Sequence, residues 1–348
     1  MSSTTTEDND YKAIARRWME MEEIKPVATT DRLLPQRCHL KHVAWKFNET
    51  FNQIWIDGRL GVVFTADQPS PSGELQTKVD YEVEVLEEPQ KKTQYYAVEI
   101  AELAKWHLAW LTDPNVWIDS ATIDMEFDQK LLVEKRKFQV KEVNINVMTN
   151  YPSIHGWLQH MFPDVESLVF RGNGIMDANR FLQLPFAVRL RKLLIIYESS
   201  FDDRLILQLT AEHLQIASDF LTEGGINKLL HRYNAVLPRV LDQIAEKWYS
   251  KMFCLRTERW NDLNYPARSE FVIYVRVKNP ENVVKNLEIL ERKKEKNGVS
   301  EFLIEMTNPN TRMRVITRPS SVICNVFAVD NSQAPPPLAT PVITPDMN

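Results

Sequence analysis

The 348-residue chain carries 44% hydrophobic and 26% charged residues, the balance of a globular protein able to bury a core. Its net charge of −5 and pI near 5.9 argue against a dedicated nucleic-acid binder, which presents a basic face. Three widely spaced cysteines, Cys38, Cys254 and Cys324, offer neither CxxC spacing nor an even count, so neither a disulfide framework nor a zinc site is expected.

The opening residues MSSTTTEDND are polar and acidic, unlike a secretory signal. No apolar run approaches the roughly 20 residues that span a bilayer. The expectation is a cytoplasmic or nuclear protein with no membrane partner. Residues 1–10 and the tail NSQAPPPLATPVITPDMN (331–348) have disorder-type composition.

Residues Tyr11–Ile24 favour a helix that Pro26 ends. Residues 11–50 are taken together as a helical N-terminal segment. Asn52–Ile56 and Val62–Ala66 flank Asp57-Gly58, a hairpin signal. Val79–Val85 alternates as a half-buried strand does, and Tyr95–Leu111 repeats its apolar residues at helical spacing.

The clearest internal pattern is an apolar–x–x–apolar–x–apolar spacing repeated four times: Val140, Val143, Ile145; Val165, Leu168, Phe170; Leu190, Leu193, Ile195; Ala211, Leu214, Ile216. A fainter copy surrounds Ile123. Central positions 143, 168, 193 and 214 are 25, 25 and 21 residues apart, inside the roughly 20–29-residue period of leucine-rich repeats. Helices are expected between them: one from Asn150-Tyr151-Pro152, others over Asp177–Leu184 and Phe201–Leu209. The fold class read from this is α/β: an irregular leucine-rich-repeat-like solenoid with an N-terminal β-rich segment and a C-terminal α+β segment. Another α/β packing is the alternative.

Beyond the repeats, Leu221 to about Phe253 reads as a helical stretch broken at Pro238, Phe271–Val277 as strand, and Asn279-Pro280 to Asn297-Gly298 as a helix bounded by proline and glycine. Phe302–Thr307 and Met313–Thr317 flank Asn308-Pro309-Asn310 as a hairpin, and Val322–Ala328 adds a strand.

Catalytic motifs are missing. Arg171-Gly172-Asn173-Gly174 lacks the features of a dinucleotide or P-loop motif. The seven histidines form neither HExxH nor a zinc-finger spacing, and no GxSxG elbow occurs. The expectation is a non-enzyme with no metal, nucleotide or other cofactor.

One resemblance adds to this. The stretch LILQLTAEHLQIASDFLTEGGINKLLHRY, Leu205–Tyr233, is similar to a block of the nematode F-box-associated (type 2) domain family, in which a strand precedes a threonine-capped, leucine-faced helix. Here the positions are Leu214, Ile216, Leu221, Thr222, Ile226, Leu229, Leu230 and Tyr233. Glu301–Arg318 looks like the family's closing strands. The resemblance implies an F-box-associated domain over 51–330 that selects a target protein. It also implies a substrate-receptor role in a cullin–RING (Skp–cullin–F-box) ubiquitin ligase, reached through a Skp-type adaptor. The pattern departs at residues 1–50, which offer an F-box only Leu33-Leu34-Pro35 and Leu40–Phe47. A stand-alone binding or scaffold protein is the alternative; an unrecognised enzyme is a third reading.

Partner-binding side chains are expected to point outward from the repeat strands: Asn144, Asn146, Glu166, Arg191, Lys192, Glu212 and Gln215. Trp260, beside Arg259 in a polar setting, is added as a candidate hot spot.

Overall fold

A computed structural model describes residues 14–20, 37–48, 50–84, 90–126, 137–147, 152–162, 164–234, 269–294, 297–307 and 311–328. The chain divides into two units, Met1–Gly174 with Arg180–Leu190 and Ile175–Asn179 with Arg191–Asn348.

In the first unit, strand alternation dominates. Strand β1 (Cys38–Phe47) buries Cys38, Leu40, Val43, Trp45 and Phe47. It leaves His39, Lys41, Ala44 and Lys46 toward the other face. Antiparallel strands β2 (Phe51–Ile56), β3 (Leu60–Pro69), β4 (Leu75–Val83) and β5 (Gln90–Tyr96) continue from it. The β2–β3 turn has Asp57 and Gly58 at φ 53° and 67°, and the Arg59 N–H donates to the Ile56 carbonyl at 3.0 Å. Two positive φ values are what a type I′ hairpin turn requires.

The other edge of β1 pairs in parallel with β6 (Val116–Met125), which continues to β7 (Val140–Val147) and β8 (Ser167–Gly172), also parallel. The order in this unit is β5-β4-β3-β2-β1-β6-β7-β8. A helix over 14–20, α1, buries Ile14, Ala15 and Trp18. Trp18 meets the rings of Tyr81 and His107, the latter on α2 (Ile100–Leu111). Helix α3 (Pro152–Met161) leads into Phe162, which stacks with Phe138 and Trp45 over β1.

The second unit holds β9 (Ile175–Met176), β10 (Lys192–Ser199), β11 (His213–Ala217) and β12 (Ser269–Tyr274), all parallel. An antiparallel run follows in the order β12-β16-β15-β14-β13, with β13 at Ile289–Lys294, β14 at Ser300–Glu305, β15 at Thr311–Arg318 and β16 at Ser321–Ala328. Short helix α4 spans Ala178–Leu182. Helix α5, residues 223–234, buries Ile226, Leu229, Leu230 and Tyr233, with Tyr233 5.2 Å from Phe271. Thr222 caps it by accepting the Gly225 N–H at 3.1 Å, and the Asp203 carboxylate accepts the Thr222 N–H at 2.8 Å. The last helix, α6, is Pro280–Val283.

Several expectations need correction. The leucine-rich-repeat-like solenoid with a C-terminal α+β segment does not form; the chain is a sheet-rich protein with few helices. The four patterned segments do become strands, and the central positions align within two parallel pairs, Val143 with Leu168 and Leu193 with Leu214. Yet a solenoid also needs a regular return segment in each repeat. Here the returns are unlike one another: helix α3 after β7, the short helix α4 (within the helix expected over Asp177–Leu184) with a 3-10 turn at Ala187–Arg189 after β8, and only a 3-10 turn at Ile206–Gln208 after β10. Antiparallel runs make up the rest of both units.

The helical segment expected over 11–50 is helical at 14–20 but extended over Cys38–Phe47, and the boundary drawn at residue 51 falls between two paired strands. Tyr95 and Tyr96 belong to β5, so the helix expected from Tyr95 starts at Ile100. The helix expected over 279–298 stops at Val283. Asn286 turns the chain with φ 63°, and Ile289–Lys294 pairs with β14 as a fully exposed strand. Its charges protect a sheet edge rather than coat a helix. Leu221–Phe253 is helical over 223–234, and residues 235–253 lie outside the described residues.

His107 is fully buried. Its Nδ1–H donates to the Leu103 carbonyl at 2.9 Å, which leaves Nε2 to accept from the Tyr81 hydroxyl at 3.0 Å. Burial pushes its pKa down from 6.5 to about 4, against a smaller upward pull from the Leu103 hydrogen bond. The unfolded chain therefore takes up a proton first as pH falls, and stability is lost between pH 6.5 and about 4, by on the order of 3 kcal/mol from this group. In urea unfolding, His107→Gln is less stable than wild type near neutral pH, and the gap narrows as pH falls through that window. A constant gap contradicts the assignment.

At the start of α5, a Cβ on Gly225 would lie 2.0 Å from Asp203 Oδ1. Gly225→Ala therefore lowers the melting temperature, although alanine favours a helix by about 1 kcal/mol over glycine. It does so by displacing the carboxylate that holds the Thr222 cap.

Candidate interaction surface

The face of the first unit's sheet opposite β1's buried residues carries two aligned cross-strand rows. One runs Asn144, Thr122, Ala44, Trp55, Gly61 and the next Asn146, Asp124, Lys46, Gln53, Val63, each residue directly opposite its neighbour on the next strand. Apart from Gly61, which is buried, these side chains are half-buried, so paired strands hold them while one side stays accessible. Trp55 lies across Gly61: a Cβ there would come within 2.6 Å of its ring. A larger residue at position 61 would lift the tryptophan off the sheet.

Polar contacts hold the rows in register. Asn146 Nδ2 donates to Asp124, while its own Oδ1 is buried without a hydrogen-bond partner. Asn144 Nδ2 donates weakly to Glu142 at 3.4 Å. Lys46 and Glu126 pair at 3.0 Å; the hydrogen bond between them raises the lysine pKa and lowers that of the glutamate. At the β1–β6 end, His39 bonds Asp119 at 2.9 Å beside Trp117, which is 55% exposed.

His42 and Ser120 are 2.8 Å apart through Nδ1 and Oγ. The nearby Asp57 accepts the His42 backbone N–H at 2.7 Å, not a ring proton. The carboxylate thus holds the β2–β3 turn to β1 and orients no base, so the group is not a Ser–His–Asp relay.

The expected partner-binding residues divide between the units. Asn144 and Asn146 lie on the open face just described. Glu166 sits just ahead of β8, where its backbone N–H donates to the Lys141 carbonyl at 2.9 Å. In the second unit, Arg191 and Glu212 form an ion pair at 3.2 Å. Lys192 lies opposite His213, and Gln215 lies between Leu194 and Val272. Trp260 lies outside the described residues. Thr122, Asp124, Lys46 and Trp55 were missed as surface candidates. The alternation of Ala121, Ile123 and Met125 turns Thr122 and Asp124 outward on β6, but only the pairing of β1 with β6 and β2 brings them onto one face with Lys46 and Trp55.

Among the described residues, no group of three or more His, Cys, Asp or Glu is placed to hold a metal, and no helix is long and apolar enough to cross a membrane. No protein-family model matches the chain, and no curated protein or solved structure does.

Because Arg191 and Glu212 face one another, exchanging them recreates the pair with reversed polarity. Arg191→Glu combined with Glu212→Arg is expected to melt with the wild type. Arg191→Glu alone places two carboxylates together and is less stable by about 0.5–1 kcal/mol. Equal melting of the single and double variants would show that the pair contributes nothing.

Proposed function

We propose that this chain is a protein-interaction module that recognises a target protein and performs no chemistry of its own. The observation that supports this reading is the open face of the first unit. Amide, hydroxyl and carboxylate groups, with one tryptophan ring against a glycine, are held at fixed spacing on adjacent strands. Groups positioned this way lose little freedom on binding, which suits selective recognition of a polar polypeptide. The resemblance of Leu205–Tyr233 to F-box-associated domains extends the reading to a substrate receptor of a cullin–RING ligase, coupled through a Skp-type adaptor.

A second reading, a stand-alone binding or scaffold protein, is favoured by one observation. Leu40–Phe47, the longer of the two F-box-like stretches, is hydrogen-bonded on both edges as β1. Those residues cannot also supply an adaptor-binding helix, so a ligase link has to run through residues ahead of Cys38.

Co-purification of the full chain with a Skp-type adaptor separates the two. The receptor reading predicts a stoichiometric complex that is lost when Leu33→Ser and Leu34→Ser disrupt the F-box-like stretch ahead of Cys38. Absence of the complex leaves the stand-alone reading. Target recognition is tested with Thr122→Arg combined with Asn144→Arg. The expected result is loss of proteins cross-linked to the wild type, at an unchanged melting temperature. An identical cross-linked set would contradict recognition through this face.

A further inference from the structure

Where the parallel strands β1, β6 and β7 of the first unit begin, their outward side chains form a grid. His39 lies opposite Trp117, and Ile118 lies opposite Val140, which puts Gln139 on the other side of Trp117. Two backbone hydrogen bonds carry this alignment ahead of the strands: the Cys38 N–H donates to the Asn115 carbonyl at 2.8 Å and the Ile118 N–H to the Gln139 carbonyl at 2.9 Å. Cys38, Leu40, Val116, Ile118, Phe138 and Val140 are buried, so the residues alternating with them turn outward.

Trp117 is the centre of the grid, and it is 55% exposed although its strand is paired on both edges. One row before it stand Arg37 and Lys137. One row after it stand Lys41 and Lys141, and all four are exposed. Basic residues therefore hold the four corners around an accessible indole. Along each strand the corners are four residues apart, about 13 Å.

Acidic groups limit the patch without cancelling it. Asp119, the one acid inside the grid, is hydrogen-bonded to His39 Nε2 at 2.9 Å. Asp164 and Glu166, ahead of β8, lie beyond β7 and bound the basic corners on that side. The whole chain carries −5, which disfavours a long polyanion such as a nucleic acid. Screening confines the attraction of the corners to about 8–10 Å, the reach of a short acidic segment. Through the row His42, Ser120 and Glu142 the grid runs on into the open face that carries Thr122 and Asn144.

We infer that this end of the first unit docks an extended acidic segment of a target protein. An apolar or aromatic side chain of the segment lies on Trp117, and aspartate or glutamate two residues to either side of it meets the basic corners. In an extended chain those two carboxylates are about 13 Å apart, which is the spacing of the corners along each strand. Tryptophan and arginine are the residues most enriched in interface hot spots, and hydrogen bonds between guanidinium or ammonium groups and carboxylates are the strong ones. The inference rests on the target-recognition reading and assigns that recognition an anchor and a chemical class of partner. It does not depend on the ligase link.

The test uses the full chain and a fluorescein-labelled heptapeptide, Ser-Glu-Ser-Phe-Ser-Glu-Ser, with its glutamine-for-glutamate counterpart as control. Fluorescence anisotropy is expected to show saturable binding of the acidic probe alone, weakening as salt is raised. Trp117→Ala is expected to weaken it by at least about tenfold, and Lys137→Gln with Lys141→Gln by about fivefold with a shallower salt dependence, both at an unchanged melting temperature. Absence of saturable binding to the wild type, equal binding of the control, or full binding by either variant overturns the inference. Tighter binding of an eight-nucleotide oligothymidylate than of the peptide also overturns it, in favour of a nucleic-acid ligand. If cross-linked targets are retained by Trp117→Ala, this site is wrong while target recognition stands. If the wild type cross-links no target, the broader reading fails independently of the probe.

Discussion

The two-sided pairing of β1 is the constraint on which the first unit depends. One edge joins β2 in an antiparallel ladder and the other joins β6 in a parallel one, so β1 is where the meander β1–β5 meets the parallel run β6–β8. A strand paired on both edges satisfies its backbone groups without solvent, and one-residue slippage would turn Trp45 and Phe47 outward. Those rings sit in the core, with Trp45 4.8 Å from Phe138. The same alternation that buries them presents Ala44 and Lys46 on the open face, between Thr122 and Asp124 on one side and Trp55 and Gln53 on the other. Core packing and surface layout are therefore set by one register.

The sheet faces of the two units differ in chemistry. The first is a lattice of amides, hydroxyls and locally paired charges around Trp55. In the second, Val272, Ile316 and Ile323 form a buried apolar cluster with Tyr274 and Val299 packed against it. Each is supported from behind by helices carrying aromatic rings: Trp18 and His107 in the first unit, Tyr233 in the second. The edge strands β5 and β13 are lysine-bearing, as expected of edges kept from pairing with another chain.

What was legible in the sequence was local and strongly patterned. Asp57-Gly58 marked a turn because only a residue pair tolerant of positive φ can close that hairpin. The spacing around Val143, Leu168, Leu193 and Leu214 marked strands and even their alignment within each pair. Thr222 marked the start of α5. What was not legible depended on pairing across long separations. Nothing near Cys38–Phe47 announces that it lies beside Val116–Met125, and without that partner its sequence reads equally as a short apolar helix. Ile289–Lys294 has helix-forming composition, and only the ladder to β14 makes it a strand. A common period in the strands could not reveal that the returns between them are unalike, which is why the solenoid expectation failed. On the candidate surface, Asn144 and Asn146 were found because they alternate with the repeat's apolar positions. Asp124 and Trp55 required the register of β1.

The most direct measurement of this account is native-state hydrogen exchange followed in peptides covering Cys38–Phe47. If β1 is paired on both edges, the amides of Val43, Trp45 and Phe47 exchange only through global unfolding, and their protection equals that of β6 and falls in step with it in urea. Rapid exchange of this segment while β6 remains protected would contradict the account. It would return Leu40–Phe47 to the pool of residues free to form an adaptor-binding helix.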